Sequence, residues 1–329
     1  MDNELVQHPT RRLGLRKPSN KPALRLSRIL TGATVPHSPA ADHFAAVNDW
    51  GLYTNDRYGV CGPTSVANLR KLVTRYLGAV EESPSLDDVY DLYRRSGNPD
   101  FDPETGADDN GVDMQTMLEA LLSGGIGGKK PVAFAKVNHG DPDEMWAAIE
   151  IFGGVLYGVD LAVAQQEQTD EGLWDYVRGS GEWGGHAALG GRYNDADGTA
   201  TDRTGVVTWA QLVDFTDSFD SHQVQEVWVV IWPENLGTKQ FKEGIDRDAL
   251  ASAYEALTGR PFPDEPDPGP DPAPPQPAPD PDPVPPAPVP PVDDADRRLA
   301  HVAHRYLRHM VSRGDLRSAL VTWLTSKDL

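Results

Sequence analysis

At 329 residues the chain is long enough for one large domain or two ordinary ones, and 39% hydrophobic against 24% charged residues leaves material for a substantial core. The formal net charge of -20 excludes general attraction to nucleic acid or anionic membranes, except through residues 1–40. There seven basic side chains (Arg11, Arg12, Arg16, Lys17, Lys21, Arg25, Arg28) stand against Asp2 and Glu4. Cys61 is the one cysteine, so no internal disulfide forms. That fits a reducing compartment and makes the thiol a candidate for chemistry. No stretch approaches 18 uninterrupted apolar residues, and the N-terminal stretch lacks an apolar h-region; the expectation is a soluble protein without its own export signal.

Residues 1–40, rich in Pro, Arg, Lys and Ser and without sustained periodicity, read as a basic extended arm. It either lies along the acidic surface of its own domain or docks on an external one. Residues 41–260 carry the folding signals. Val66, Leu69, Val73 and Leu77 recur at helical spacing and predict a helix over 62–78, with Pro63 in its first turn. A second helix is expected over 86–95 with Ser85 as N-cap, and a third around 112–122, ended by Gly124, Gly125, Gly127 and Gly128. Residues 132–137 read as a strand and 141–152 as a helix. From there the pattern turns to strands: 155–159, 186–193, 206–209 and 227–231. Helices first and antiparallel strands later predict an α+β domain.

Residues 261–291 hold 17 of the 29 prolines. The 261–293 segment therefore reads as a polyproline linker able to span on the order of 90 Å. Beyond it, Leu299, Val302, Tyr306 and Met310 share a helical face, so 294–329 is expected to form a small amphipathic helical module that binds a protein partner or self-associates.

The chemistry concentrates in two strings. In Thr54-Asn55-Asp56-Arg57-Tyr58-Gly59-Val60-Cys61-Gly62-Pro63, the cysteine stands at a Gly-flanked turn directly before a helix. The positive helix end favours thiolate, and a free N–H is available to a developing oxyanion. The plain alternative is a small buried core cysteine. In Trp183-Gly184-Gly185-His186-Ala187, the glycines leave room beside the imidazole for a partner or substrate. A histidine reaching the thiol would take its proton and activate it; a satisfied core histidine is the alternative.

On these residues the chain resembles the papain-like and bacteriocin-processing cysteine peptidases. It is more closely similar to a group of phage and bacterial proteins that pair an Asn-Asp-x-x-Gly-x-Cys opening with a later Gly-Gly-His strand and a Thr-Trp strand. The likeness runs over roughly 48–236 and includes Asp49-Trp50-Gly51, Gly111-Val112-Asp113, Phe152-Gly153-Gly154-Val155 and Val207-Thr208-Trp209. It implies a papain-like fold, Cys61 as nucleophile and His186 as general base, then acid. Asn55, six residues before Cys61, stands at the offset where papain-like enzymes place a Gln amide in the oxyanion hole; a turn residue bonding its own backbone is the alternative. The sequence departs from the family at the residue that orients the histidine. Asp202, or failing it Asp195 or Asp197, would fill that place, with Thr208 placed to bond the ring; otherwise the site is a dyad or has lost activity.

The function expected is hydrolysis of a peptide or related amide by a cysteine peptidase, with no cofactor or metal. The rival is a non-catalytic virion structural or assembly protein that uses the body, arm and tail for docking. The expected setting is the cytoplasm of a host cell or a virion, away from membranes. Gly124–Lys130 lacks the Gly-Lys-Ser/Thr ending of a phosphate loop and reads as a turn. The acidic run Asp100, Asp102, Glu104, Asp108, Asp109 misses calcium-loop spacing, and His301, His304 and His309 lack companion ligands.

Overall fold

A computed structural model describes residues 8–19, 21–32, 37–194 and 203–263. The linker 261–293 (apart from its first three residues), the 294–329 module and Asp195, Asp197 and Asp202 lie outside the described residues.

Eight strands form one sheet: β1 (Ala40–Asp42), β2 (Ala133–Val137), β3 (Val155–Ala162), β4 (Leu173–Trp174), β5 (Glu182–Asn194), β6 (Arg203–Thr208), β7 (Gln211–Thr216) and β8 (Val224–Ile231). Their order is β2-β8-β3-β5-β6-β7-β4, with β1 also on β5; every pairing is antiparallel except β4 with β7. The helices are α1 (Cys61–Tyr76), α2 (Leu86–Arg95), α3 (Met114–Gly124), α4 (Pro142–Phe152), α5 (Ala164–Glu171), α6 (Asp217–Gln223), α7 (Lys239–Gly244) and α8 (Arg247–Thr258). None of the described helices is long and apolar enough to cross a membrane.

The expected helix-then-sheet order is present. Alternation along the strands divides the core in two. Leu156, Leu189, Val207 and Trp228 face α1, α2 and α3, whereas Tyr157, Ala188, Val206 and Val229 join α4, α7 and α8 on the other side. Helix α2 starts where a capping box is written: Ser85 accepts from the Asp88 N–H and Asp88 answers to the Ser85 N–H. Helix α1 is buried on nearly all sides, even at Arg70, which pairs with Glu82 and Glu234 and lies over the Trp232 ring at 4.3 Å.

Two expectations need correction. The arm does not stay outside the domain: Leu24, Leu26 and Ile29 belong to the core, because the strand–helix layer presents apolar surface that these side chains cover. The 206–209 strand stops one residue early. Trp209 and Ala210 have φ of 44° and 61° and form a two-residue hairpin turn between paired Thr208 and Gln211, a geometry whose twist suits antiparallel strands. The sequence reading missed α5, β4, β7, α6, α7 and α8, whose polar or short patterns give little periodicity.

Candidate active site

Cys61 is the first residue of α1, and its side chain is fully buried. The helix comes close to α3 because residue 62 is glycine; a Cβ there would stand 2.8 Å from both the Met117 sulfur and a Val112 methyl. The turn before it is held from the acidic loop. Asp109 accepts from the Gly59 N–H at 2.9 Å and from the Tyr93 hydroxyl at 2.7 Å, and the same hydroxyl accepts from the Gly111 N–H at 2.8 Å. Asp109 and Tyr93 were missed as site residues. The run of carboxylates that suggested calcium is used instead for turns: Asp102 accepts from the Glu104 N–H and Asp108 from the Asp100 N–H. Among the described residues no group of three or more His, Cys, Asp and Glu side chains is placed to hold a metal ion.

His186 projects from β5, paired with Val159 of β3, and is also fully buried. Its Nε2 lies 2.6 Å from the Thr208 hydroxyl oxygen, and its ring stacks on Trp209 at 4.1 Å and 14°. The left-handed turn at Trp209 is what brings the indole back over the imidazole. Trp183 stacks on the other end of Trp209 at 5.7 Å, and the Arg11 guanidinium lies 5.6 Å from its centroid. Among the described residues His186 Nδ1 has no hydrogen-bond partner. With Nε2–H donated to Thr208, Nδ1 is the free base. Thr208 thus stands at the ring, as the sequence allowed, while Asp202, the first choice for the orienting place, lies outside the described residues.

Asn55 is buried, and its amide donates to the Tyr58 carbonyl at 3.2 Å and to the Arg12 carbonyl at 3.3 Å. The first bond is the expected turn; the second reaches the N-terminal arm. Residues 12–16 of that arm lie in the crevice between the helical half and the sheet. Arg12 N–H donates to the Asn55 carbonyl at 3.1 Å, Val112 N–H to Gly14 at 2.7 Å, Arg16 N–H to Val112 at 2.7 Å, and Leu15 N–H to Gly185 at 3.1 Å. Leu15 pairs with Val112 in parallel sense. The glycines expected to leave room beside His186 do so, for the arm: a Cβ on Gly185 would be driven into the Leu15 carbonyl. The available signal for this was Leu13-Gly14-Leu15, an apolar–Gly–apolar run within a basic stretch.

The buried site is electrically neutral. Burial pushes the Cys61 thiol up to about 11, against opposing hydrogen bonds from the backbone of Ala187, Gly14, Gly62 and Cys61 itself. Burial likewise pulls His186 down to about 3. In this closed form burial works against the expected low-pKa thiolate. The helix dipole and backbone donors are present, but the cost of removing the charge from water outweighs them.

Neither a protein-family model nor a curated protein sequence matches the chain. Among solved structures, xylellain, a cysteine protease from Xylella fastidiosa, superposes with a TM-score of 0.52 at 12% identity, over 69% of this chain and 98% of its own. Digestive procathepsin L 3 of Tenebrio molitor larval midgut (0.46, 12%, 66% and 76%) and procathepsin B S9 from Trypanosoma congolense (0.46, 11%, 68% and 86%) also match. The fold is papain-like. In this papain-like frame Cys61 opens the first long helix and His186 lies on the central strand of the sheet half.

Proposed function

We propose that the protein is a papain-like cysteine peptidase held latent by residues 12–16 of its own chain. The observation that carries this reading is the crevice beside Cys61 and His186: it already binds an extended peptide backbone through Asn55, Val112 and Gly185. With the arm withdrawn, water and substrate reach the pair. The Cys61 S–H proton passes to His186 Nδ1, and the thiolate attacks the substrate carbonyl carbon. The oxyanion takes donors from the helix N-terminus and the Asn55 amide, which now holds the Arg12 carbonyl. His186 returns the proton to the departing amine, leaving a thioester. Water, deprotonated by His186, then cleaves the thioester and restores the thiol. Thr208 fixes the ring but, being uncharged, stabilises imidazolium less than a carboxylate would.

The narrower kinship to phage and bacterial proteins belongs to this reading, as does a protein or peptide substrate. The rival, a non-catalytic virion or assembly body, draws on the uncharged Thr208 hydroxyl at His186 and on the burial that raises the thiol pKa. The test is hydrolysis of fluorogenic peptide amides by full-length protein whose arm is loosened by Gly14→Ala. Cys61→Ser and His186→Ala should abolish turnover, and Asn55→Ala should lower kcat about 10²–10³-fold. An accelerated alkylation of Cys61 without any hydrolysis or acid-trapped thioester would reject the peptidase and favour the rival.

A further inference from the structure

Beneath Leu15 the crevice floor is not apolar. Glu226 of β8 is 1% exposed, and it stands opposite Gly158 of β3 in register. A Cβ built on Gly158 would meet Glu226 Cγ at 2.8 Å, a Leu15 methyl at 2.9 Å and Glu226 Oε1 at 3.2 Å, so carboxylate and arm side chain converge where residue 158 has no side chain. One carboxylate oxygen is used, accepting from the Trp228 indole N–H at 2.8 Å; the other, Oε1, has no hydrogen-bond partner among the described residues. The neighbouring cation, Lys136 of β2, lies over the Trp228 ring at 5.4 Å. A buried carboxylate with a free oxygen beside a leucine methyl is poorly served by that leucine, since an unpaired buried acceptor has lost water and gained no donor. Burial raises its pKa above the usual range, with Trp228 and Lys136 pulling the other way, consistent with an acid that awaits a counter-charge.

Building on the peptidase reading, we propose that the pocket filled by Leu15 is a specificity pocket for a basic side chain, with Glu226 Oε1 as its charge partner. Lysine and arginine carry their charge roughly two to three bonds beyond the position of a leucine methyl, a reach that lets it meet a carboxylate lying beside that methyl. Gly158 and Gly185 leave the stem its passage between β3 and β5. The arm keeps the pocket closed with a residue that fits its walls but leaves its charge unmatched, so a substrate with Lys or Arg at that place has an interaction the arm lacks. The preferred substrates are thus peptides basic at the residue seated over Gly158.

The first experiment needs no catalysis. In the full chain Leu15 is replaced by Lys and, as an uncharged side chain of similar length, by Met, each with Glu226 and with Glu226→Gln. The arm's hold is read from the alkylation rate of Cys61, the only thiol, and from the melting temperature of each variant. Leu15→Lys should protect Cys61 about tenfold better than Leu15→Met, as expected for one charge-assisted hydrogen bond, and Glu226→Gln should erase that difference. Equal protection by Lys and Met, or a difference that survives Glu226→Gln, overturns the proposal. A Glu226→Gln protein that melts with wild type shows that folding is not the cause; if it melts lower, Glu226→Asp, which keeps the charge, must restore a part of the preference or the proposal fails. The second experiment compares peptide amides with Lys or norleucine at each of the three positions before the cleaved bond, using the Gly14→Ala protein. At one position Lys should be favoured about tenfold, and Glu226→Gln should remove the preference. Hydrolysis without any such preference overturns the specificity claim. No hydrolysis of any peptide rejects the peptidase reading, and the alkylation cycle alone then decides whether the pocket takes a base.

Discussion

Substituting Gly14 by alanine should unlock the site. A Cβ at Gly14 would be driven into the Gly59 carbonyl, and the two backbones already touch, since a Cβ on Gly59 would stand 3.1 Å from Gly14 Cα. Gly59 cannot yield easily: its N–H is tied to Asp109 at 2.9 Å, and it lies two residues before the α1 start. The overlap is relieved most cheaply by releasing the arm, whose hold here is a handful of backbone hydrogen bonds. Overpacking of this kind costs about 1–3 kcal/mol. If opening precedes labelling, that cost raises the open population, and hence the alkylation rate of Cys61, by about 5- to 150-fold. Timed iodoacetamide labelling at fixed pH, followed by intact mass, reads it directly because the chain has one cysteine. Gly237→Ala, where a Cβ meets nothing within 4 Å, serves as control. Unchanged labelling and melting in Gly14→Ala would refute the arm's role as a seal.

In the wild type, labelling should keep rising with pH beyond 9 towards about 11, because burial holds the thiol protonated, whereas Gly14→Ala should shift the profile to lower pH; a wild-type plateau near neutrality would contradict the dry site. Acid should weaken the fold through His186: its folded pKa of about 3 lies below the unfolded 6.5, so the unfolded chain binds the extra proton and stability falls as pH drops from 6.5 towards 3. The loss is about 1.4 kcal/mol per pH unit. Asp220, pushed up to about 7 by burial and Asp217, acts in the opposite sense, so the measurement is the difference in unfolding free energy between wild type and His186→Gln at pH 7 and pH 4. A constant difference would show that His186 is not held neutral. Thr208→Val keeps the shape but strands His186 Nε2 and should cost about 1–3 kcal/mol of stability and lower turnover; denaturant titration with unchanged midpoint would remove Thr208 from the site.

Much of the frame was legible without coordinates. Ser85 and the 86–95 run specify a helix locally, through a cap and a period, and α2 spans Leu86–Arg95. The lone cysteine before Gly62-Pro63 opens α1 because proline suits a first turn and glycine permits close approach. His186 could be singled out by its flanking glycines, whose purpose is contact with another backbone. These are short-range properties that a few neighbouring residues fix. What the fold alone decided involves segments far apart in the chain: Leu15 meeting Gly185 and Val112, the Thr208 hydroxyl reaching His186 Nε2, and Glu226 lying under the arm. No local pattern encodes such meetings, because they depend on which surfaces the layers leave open. The thiol's protonation state belongs with them: the helix start was readable in sequence, but the burial that outweighs it belongs to the assembled fold.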